Sequence, residues 1–413
     1  MTRYDAIIIG GGPAGSTAAT VLARTGRRIL VLEREKFPRF HIGESLLPYN
    51  RRLFGELGLL PLIEQAGFVR KFGAQFWLGD GSRHVEVRFA EGAFNEETSA
   101  FQVERSIFDD LLLRHSEKQG AEVREGCSVN GYVVSRDGVH VQTDAGEFAS
   151  KFLIDASGQA NFSGNREGVK EIYSRHRKVA VFGHFTGVTV PDAEKAGDIV
   201  IVRLSEEWAW LIPLAGGKMS VGVVMDLKRV KESARAPAEL FWDIVRQSSL
   251  LAEKLRPAGM IGSLRTISDY SYSNRRFVSP RLVRVGDAAA FMDPIFSSGV
   301  YLAMRSAREA AFAIEDALIR GAAMTARLRR YERWLRRSMS LYWKLIEKFY
   351  TRPFIEVFLA PDPPFKVNAA VNSVLAGRIE ATWAVRWRLA LFYLIVRVHE
   401  RFGLPQVPRI AQS

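Results

Sequence analysis

The first apolar stretches of the chain are short, rich in isoleucine, valine and leucine, and separated by glycine. Tyr4 to Ile9 leads into a glycine cluster at Gly10 to Gly15, then a helical spacing to about Thr25, then a second apolar stretch from Arg28 to Leu32. Such stretches predict strands buried on both faces with a crossover helix between them, so residues 4–35 read as a β-α-β unit. The alternation continues with a loop from Phe37, a helix around Tyr49 to Leu57 and a short strand near Gln75 to Leu78. A helix over Arg105 to Gln119 follows, then strands near Glu122 to Glu125, Gly131 to Val134 and Val139 to Thr143. Lys151 to Ile154 is a further apolar strand, and it ends in Asp155-Ala156-Ser157-Gly158, the kind of glycine end where a strand delivers the chain to a ligand.

The pattern then changes. From Lys178 to Ile267 apolar and polar positions mostly alternate, broken by one helical segment near Pro237 to Glu253, as a separate antiparallel sheet requires. Arg281 to Val285 returns to a buried strand, followed by Gly286-Asp287 and a long helix from about Gly299 to Arg320. Beyond Arg320 the chain is helical and basic, punctuated by prolines at 353, 361, 363 and 364. The expected architecture is α/β (α+β). A Rossmann-like dinucleotide-binding domain is assembled from residues 1–175 and 270–340, an antiparallel substrate-side sheet spans 176–269, and a helical region covers 341–413.

Composition narrows the function classes. With 413 residues, 47% hydrophobic and 25% charged, the chain has material for two packed cores and is not a disordered polymer. Cys127 is the only cysteine, which excludes a disulfide framework and a thiolate metal cluster and suits a reducing cytoplasm; no metal site is expected. No secretory pattern opens the chain. The longest C-terminal apolar run, Leu389 to Val396, is eight residues, against roughly 20 for a helix that crosses a bilayer. The net charge of +13 favours anionic partners, but no RNP-like motif, zinc-finger spacing or basic heptad array points to nucleic acid. Trp383 to Phe402 interleaves Arg386, Arg388, Arg397 and Arg401 with Trp387, Leu391, Phe392 and Ile395. Such a helix could lie peripherally on a membrane, grip an acidic carrier, or simply pack on the core.

Gly10-x-Gly12-x-x-Gly15 follows a strand and opens a helix, and Glu33 ends the second strand, 18 residues after Gly15. Glycines let backbone approach a pyrophosphate at a helix N-terminus, and the carboxylate accepts from a ribose hydroxyl. Asp287, far downstream between a strand and a helix, can bond the ribityl chain of an extended FAD. This two-part arrangement resembles the FAD-dependent monooxygenases of the aromatic-hydroxylase fold over roughly residues 1 to 340.

Three segments resemble one branch of that superfamily, the flavin-dependent halogenases. Trp208-x-Trp210-x-Ile212-Pro213 matches the family signature WxWxIP. Phe291-Met-Asp-Pro294-Ile-Phe-Ser297-Ser-Gly299 fits FxxPxxSxG. Phe37-Pro-Arg-Phe-His41-Ile-Gly43-Glu44-Ser45, followed by Lys71-Phe72-Gly73-Ala74-x-Phe76, is similar to the region holding the family's essential lysine. The resemblance implies that reduced FAD and dioxygen, with chloride or bromide, generate hypohalous acid for an electron-rich phenol or pyrrole, free or tethered to a carrier protein. It assigns FAD contacts to Gly10, Gly12, Pro13, Ala14, Gly15, Glu33, Arg34, Ile42, Arg105, Asp287, Pro294 and Val300, and the halide to Ser298 and Gly299. It also assigns catalysis to Lys71 and Glu44.

Each assignment has a plainer reading. Trp208 and Trp210, at i and i+2 of a strand, share one face and serve equally as core packing or as a barrier between flavin and substrate. Lys71 either holds hypohalous acid by hydrogen bonds as an ammonium or becomes a haloamine. Glu44 takes the ring proton or holds the lysine charged, and Ser298 is either part of an anion nest or a helix cap. Two departures matter. Tryptophan-type halogenases carry a catalytic glutamate where this chain has Phe296, which disfavours free tryptophan. Asp155-Ala156-Ser157-Gly158 lacks the nicotinamide-binding pattern of single-component hydroxylases, so reduced FAD is expected from a separate flavin reductase, and Asp155 reads as structural or FAD-side. The competing expectations are a monooxygenase or polyprenyl-chain reductase of the same fold, and a non-catalytic FAD-bearing docking partner.

Overall fold

The strand Ile29–Glu33 is buried along its whole length and lies parallel to Arg3–Ile9, with Ala6 opposite Ile29 and Ile9 opposite Leu32. The computed structural model describes residues 3–92, 95–173, 177–189, 195–360, 367–380, 382–404 and 407. The prolines at 361, 363 and 364 and the boundary drawn at 176 therefore lie outside the described residues. Among those described, the central pair belongs to an eight-stranded sheet. Gly146–Asp155 flanks Arg3–Ile9 in parallel, and Leu282–Arg284 pairs in parallel with Gly146–Asp155 across more than a hundred residues of sequence. The sheet is thus assembled from distant segments, as its buried apolar strands predict. Pro13–Ala23 is buried at every position because it is wedged between the sheet and the helices Arg105–Lys118 and Gly299–Ile319.

A seven-stranded second sheet runs, among the described residues, in the order Gly259–Tyr270, Lys178–Thr186, Lys218–Asp226, Trp208–Leu214, Ile199–Arg203, Gly73–Leu78, His84–Arg88. Its joints are antiparallel except one, Ile199–Arg203 beside Gly73–Leu78. The last two strands at one side, Gly73–Leu78 and the edge strand His84–Arg88, come from the first third of the chain and carry the segment after Lys71 into this sheet.

Trp208–Leu214 shows what the strand period does here. Ala209 and Leu211 point to a core shared with Phe241 and Ile244 of the helix Pro237–Gln247. Trp208, Trp210 and Ile212 point the other way, into the main core. The single helix expected near Pro237 to Glu253 is two. Ser248 leaves helical backbone, and its hydroxyl accepts from the Leu251 N–H to cap Ser249–Leu255.

The C-terminal helices close over the edge of the second sheet. Phe358 of Arg352–Phe358 meets Phe76 edge-on at 5.0 Å between ring centroids, and Phe354 meets Phe392 of Trp383–Phe402 at 5.2 Å. Among the described residues no helix is long and apolar enough to cross a membrane, and no group of His, Cys, Asp and Glu could hold a metal ion.

Candidate active site

At Gly10 the backbone takes φ +99°, and an added Cβ would sit 2.5 Å from the Ala156 carbonyl oxygen. At Gly15 it would sit 1.9 Å from the Gly10 carbonyl oxygen, so helix and strand touch without room for a side chain. Gly12 differs. A Cβ there would meet only an Arg39 guanidinium nitrogen at 3.4 Å, because the backbone faces a cavity. Pro13 opens the helix, no side chain caps its N-terminus, and no acidic residue occupies its first turn, which leaves N–H groups free for an anion. The Glu33 carboxylate is fixed beside this turn by the N–H groups of Gly11 at 2.7 Å and Glu35 at 2.9 Å.

The cavity is about 590 Å³ and joins residues from both sheets. Gly10, Gly12, Pro13, Ala14, Glu33 and Arg34 line it together with Ile42, Glu44, Arg105 and Asp287, and with Pro294, Gly299, Val300, Trp208 and Trp210. Gly15 lies beneath it, doing structural work. Arg105 donates two hydrogen bonds to Asp109, at 2.7 and 2.9 Å, and one to the Ile42 carbonyl at 2.6 Å. Burial opposes ionisation of Asp109, but Arg105 and Arg39 overcome it and hold the carboxyl below its ordinary value. His41, also on the lining, is pushed down to about 4 by burial and by the Arg105 charge, so it is neutral at pH 7.

Among the described residues the Asp287 carboxylate has no hydrogen-bond partner. Burial pushes it up to about 7. An acceptor without a described partner on a cavity that also presents bare backbone amides and a fixed carboxylate fits FAD, whose ribityl hydroxyl Asp287 would hold, with the pyrophosphate at Gly12 and the ribose at Glu33. Asp155, by contrast, accepts through both carboxylate oxygens from Ser157 and Ser163.

Ser297 adopts φ +56°, a left-handed turn, and the helix Gly299–Ile319 starts immediately after it. Ser298 is the N-cap position but its side chain makes no capping bond. Instead it borders a void of about 10 Å³ shared with Asp287 and Phe291. Nothing stands within 4 Å of a Cβ built on Gly299, so this backbone too is bare. Phe296 is buried and packs edge-on against Phe349 at 5.6 Å.

Trp208 and Trp210 stand together on the cavity wall, 5.7 Å between centroids. Trp210 lies across the strand from Gly222, where a Cβ would come within 2.2 Å of the indole; only glycine leaves room for that ring. Its Nε1 donates to the Ser220 hydroxyl at 3.2 Å. Trp208 Nε1 donates to the Tyr350 hydroxyl at 2.9 Å, which donates to Asp293 at 2.6 Å.

Lys71 lies away from the cavity, 1% exposed, at the end of Val69–Lys71. That strand pairs with Ala100–Gln102, to which Glu44, Ser45 and Leu46 are stitched by Val103 N–H to Glu44 O, Leu46 N–H to Phe101 O, and a bridge between Ser45 and Gln102. Lys71 Nζ accordingly donates to Ser45 Oγ at 2.9 Å and to the Leu46 carbonyl at 3.1 Å. Ser45 lines the cavity, so it stands between the cavity and the lysine. Burial pushes Lys71 down to about 7, against the attraction of Asp198. The sequence brings Glu44 close to Lys71, but the two form no ion pair. Glu44 lies 2.7 Å from His184 Nε2, and its other oxygen is buried without a partner. His184, Tyr350, Asp293 and Gly222 were absent from the sequence-based site. No local motif marks His184, Tyr350 or Gly222, and Asp293 falls on a variable position of the Phe291-to-Gly299 segment; each acts through a partner across the fold.

A Rossmann-like cradle joined through one cavity to a tryptophan-walled sheet defines a flavoprotein oxidoreductase. The chain belongs to the tryptophan halogenase family, which matches residues 5–99 and 86–353. It is 31% identical over 392 residues to the 1H-pyrrole-2-carbonyl-[peptidyl-carrier protein] chlorinase of Pseudomonas fluorescens, covering 88% of this chain and 87% of that one. It is 32% identical over 361 residues to a tryptophan 2-halogenase of Chondromyces crocatus, covering 83% of this chain and 67% of the other. The solved structure of the flavin-dependent brominase Bmp2 superposes with a TM-score of 0.85 at 29% identity, over 97% of this chain and 100% of that one. The chain is thus an enzyme, a flavin-dependent halogenase with FAD as cofactor and halide as inorganic substrate.

Proposed function

We propose that this halogenase acts on an electron-rich phenol or pyrrole ring and that Lys71 directs the halogen to it. The observation that carries the reading is that Trp208 and Trp210 line the cavity that fits FAD, while Lys71 lies outside that lining and bonds Ser45, which is part of it. Reduced FAD, when bound, supplies with dioxygen the oxidant that turns chloride or bromide into hypohalous acid.

The chain's residues do the rest. Gly10, Gly12, Pro13 and Ala14, with Glu33 and Arg34, hold the dinucleotide; Ile42, Arg105, Asp287, Pro294 and Val300 hold the flavin end, and Ser298 and Gly299 hold the halide. The indoles keep the organic ring off the flavin, which blocks hydroxylation but not passage of a small oxidant. Lys71 Nζ, buried beside Ser45, bonds hypohalous acid and polarises its oxygen–halogen bond. Glu44 takes the ring proton, and the oxidant's oxygen leaves as water. Phe296, standing where tryptophan-type enzymes carry a glutamate, argues against free tryptophan. The name of the Pseudomonas relative supports an arene tethered to a carrier protein, and the lack of a nicotinamide pattern supports a separate flavin reductase. Incubation with a reductase, NADH, FAD, bromide and a panel of free and carrier-tethered phenols and pyrroles, with tryptophan as comparison, tests this. Brominated phenol or pyrrole supports it; preference for tryptophan, or hydroxylated product alone, refutes it.

A further inference from the structure

The helix Trp383–Phe402 has two apolar faces, and packing uses one. Val385, Leu389, Phe392, Val396 and His399 are its buried residues and recur at helical spacing. They hold it to Arg352–Phe358, through Phe392 against Phe354 and through His399 Nε2, 2.8 Å from the Glu356 carboxylate. The opposite face is left to solvent. Trp383 is 79% exposed, Leu394 54% and Phe402 72%. Arg386, Arg397 and Arg401 are exposed too, and none of them pairs with a carboxylate among the described residues. At 3.6 residues per turn, Leu394 and these three arginines all fall within about 60° of the Trp383 direction.

The helix is also placed over the Lys71 side. It covers Phe354, whose neighbour Phe358 packs on Phe76 of the strand that follows Lys71. The preceding helix, Val367–Leu375, reaches the same region: Asn372 donates to the Arg88 carbonyl, next to Phe89, whose ring lies 5.5 Å from Lys71 Nζ.

We propose that the outer face of Trp383–Phe402 docks an acidic carrier protein that presents its tethered arene to the Lys71 side. This rests on the reading of the substrate as carrier-tethered. Arginine and exposed aromatic anchors side by side are the residue types that dominate protein interfaces, and three guanidinium groups without a carboxylate partner among the described residues call for an acidic partner. A bilayer surface fits less well. Arg401 shares the direction of Trp383, and Arg397 and Arg386 lie about 40° and 60° to one side of it, so guanidinium groups stand among the most exposed apolar residues of this face.

The test uses the full-length, FAD-loaded enzyme and a carrier protein bearing pyrrole-2-carboxyl on its phosphopantetheine arm. Arg386→Glu/Arg397→Glu/Arg401→Glu should raise the Kd for that carrier, and the KM for the tethered pyrrole, at least tenfold, with kcat and halogenation of a free phenol unchanged. Trp383→Ala/Leu394→Ala, which alters no charge, should weaken carrier binding in the same assay. Carrier affinity equal to wild type in both variants overturns the proposal, as does an equal loss on free and tethered substrates. It is also overturned if phosphatidylglycerol vesicles bind the wild type and release the triple variant while carrier affinity stays constant. If the carrier binds through this face but no arene is halogenated, docking stands and the halogenation reading falls; if free arenes are halogenated and the carrier does not bind, the reverse holds.

Discussion

The indole N–H of Trp208 donates to the Tyr350 hydroxyl at 2.9 Å, although the two residues lie 142 positions apart in the chain. Because that hydroxyl donates onward to Asp293, whose carboxylate also accepts from the Ile295 N–H, this cavity-lining indole is tied to the turn leading to Ser298 and Gly299. Burial pushes the Asp293 carboxyl above its ordinary value, and the Tyr350 bond counteracts that. Tyr350→Phe would leave a buried indole N–H and a buried carboxyl short of a partner. The expected cost is about 1–3 kcal/mol of stability, together with a several-fold fall in halogenated product per NADH consumed. Thermal unfolding of the FAD-loaded protein and product-to-NADH ratios check this.

Gly222→Ala tests the same wall from behind. A methyl group 2.2 Å from the Trp210 ring must displace the indole toward the cavity. Overpacking of this kind costs about 1–3 kcal/mol, and FAD affinity should fall with it. Trp210→Phe in the same background should recover part of both, read by calorimetry and flavin titration.

Among the described residues the Glu44 carboxylate has one partner, His184, and His184→Phe removes it from a side chain that is 1% exposed. Stability should drop by about 1–3 kcal/mol and kcat by more than tenfold. His184→Gln, which keeps a donor, should retain more of both. Chemical denaturation beside steady-state kinetics separates the two effects.

Much of this architecture was legible in the chain because it is written locally. The buried strands, the glycine turn and the shared face of Trp208 and Trp210 all follow from periods of two and 3.6 residues and from backbone that only glycine allows. The family segments located Lys71 and the Ser298-Gly299 turn in the same way. What sequence could not show was pairing at a distance. Glu44 sits next in sequence to the partner of Lys71 yet bonds His184, 140 residues on. The Trp208, Tyr350 and Asp293 chain joins a strand, the end of a helix and a turn. The break at Ser248 depends on one serine leaving helical backbone, which apolar spacing does not register.

Burial lowers Lys71 to about 7, whereas in the unfolded chain it stays protonated to about 10.5. Between those values the unfolded state holds more protons, so wild-type stability rises with pH, and below about 7 the fold bears the full penalty of a buried ammonium. Lys71→Met should therefore be more stable than wild type at pH 6, and the advantage should shrink steadily toward pH 10. Denaturant unfolding across that range measures it.

The most direct measurement is product analysis with Lys71→Ala beside wild type, each supplied with flavin reductase, NADH, FAD, bromide and a phenol or pyrrole substrate. The wild type should yield brominated ring only when bromide is present. The variant should bind FAD and consume NADH as before while brominated product falls by at least a hundredfold. Bromination that survives in the variant, or hydroxylated product formed without halide, would contradict the account.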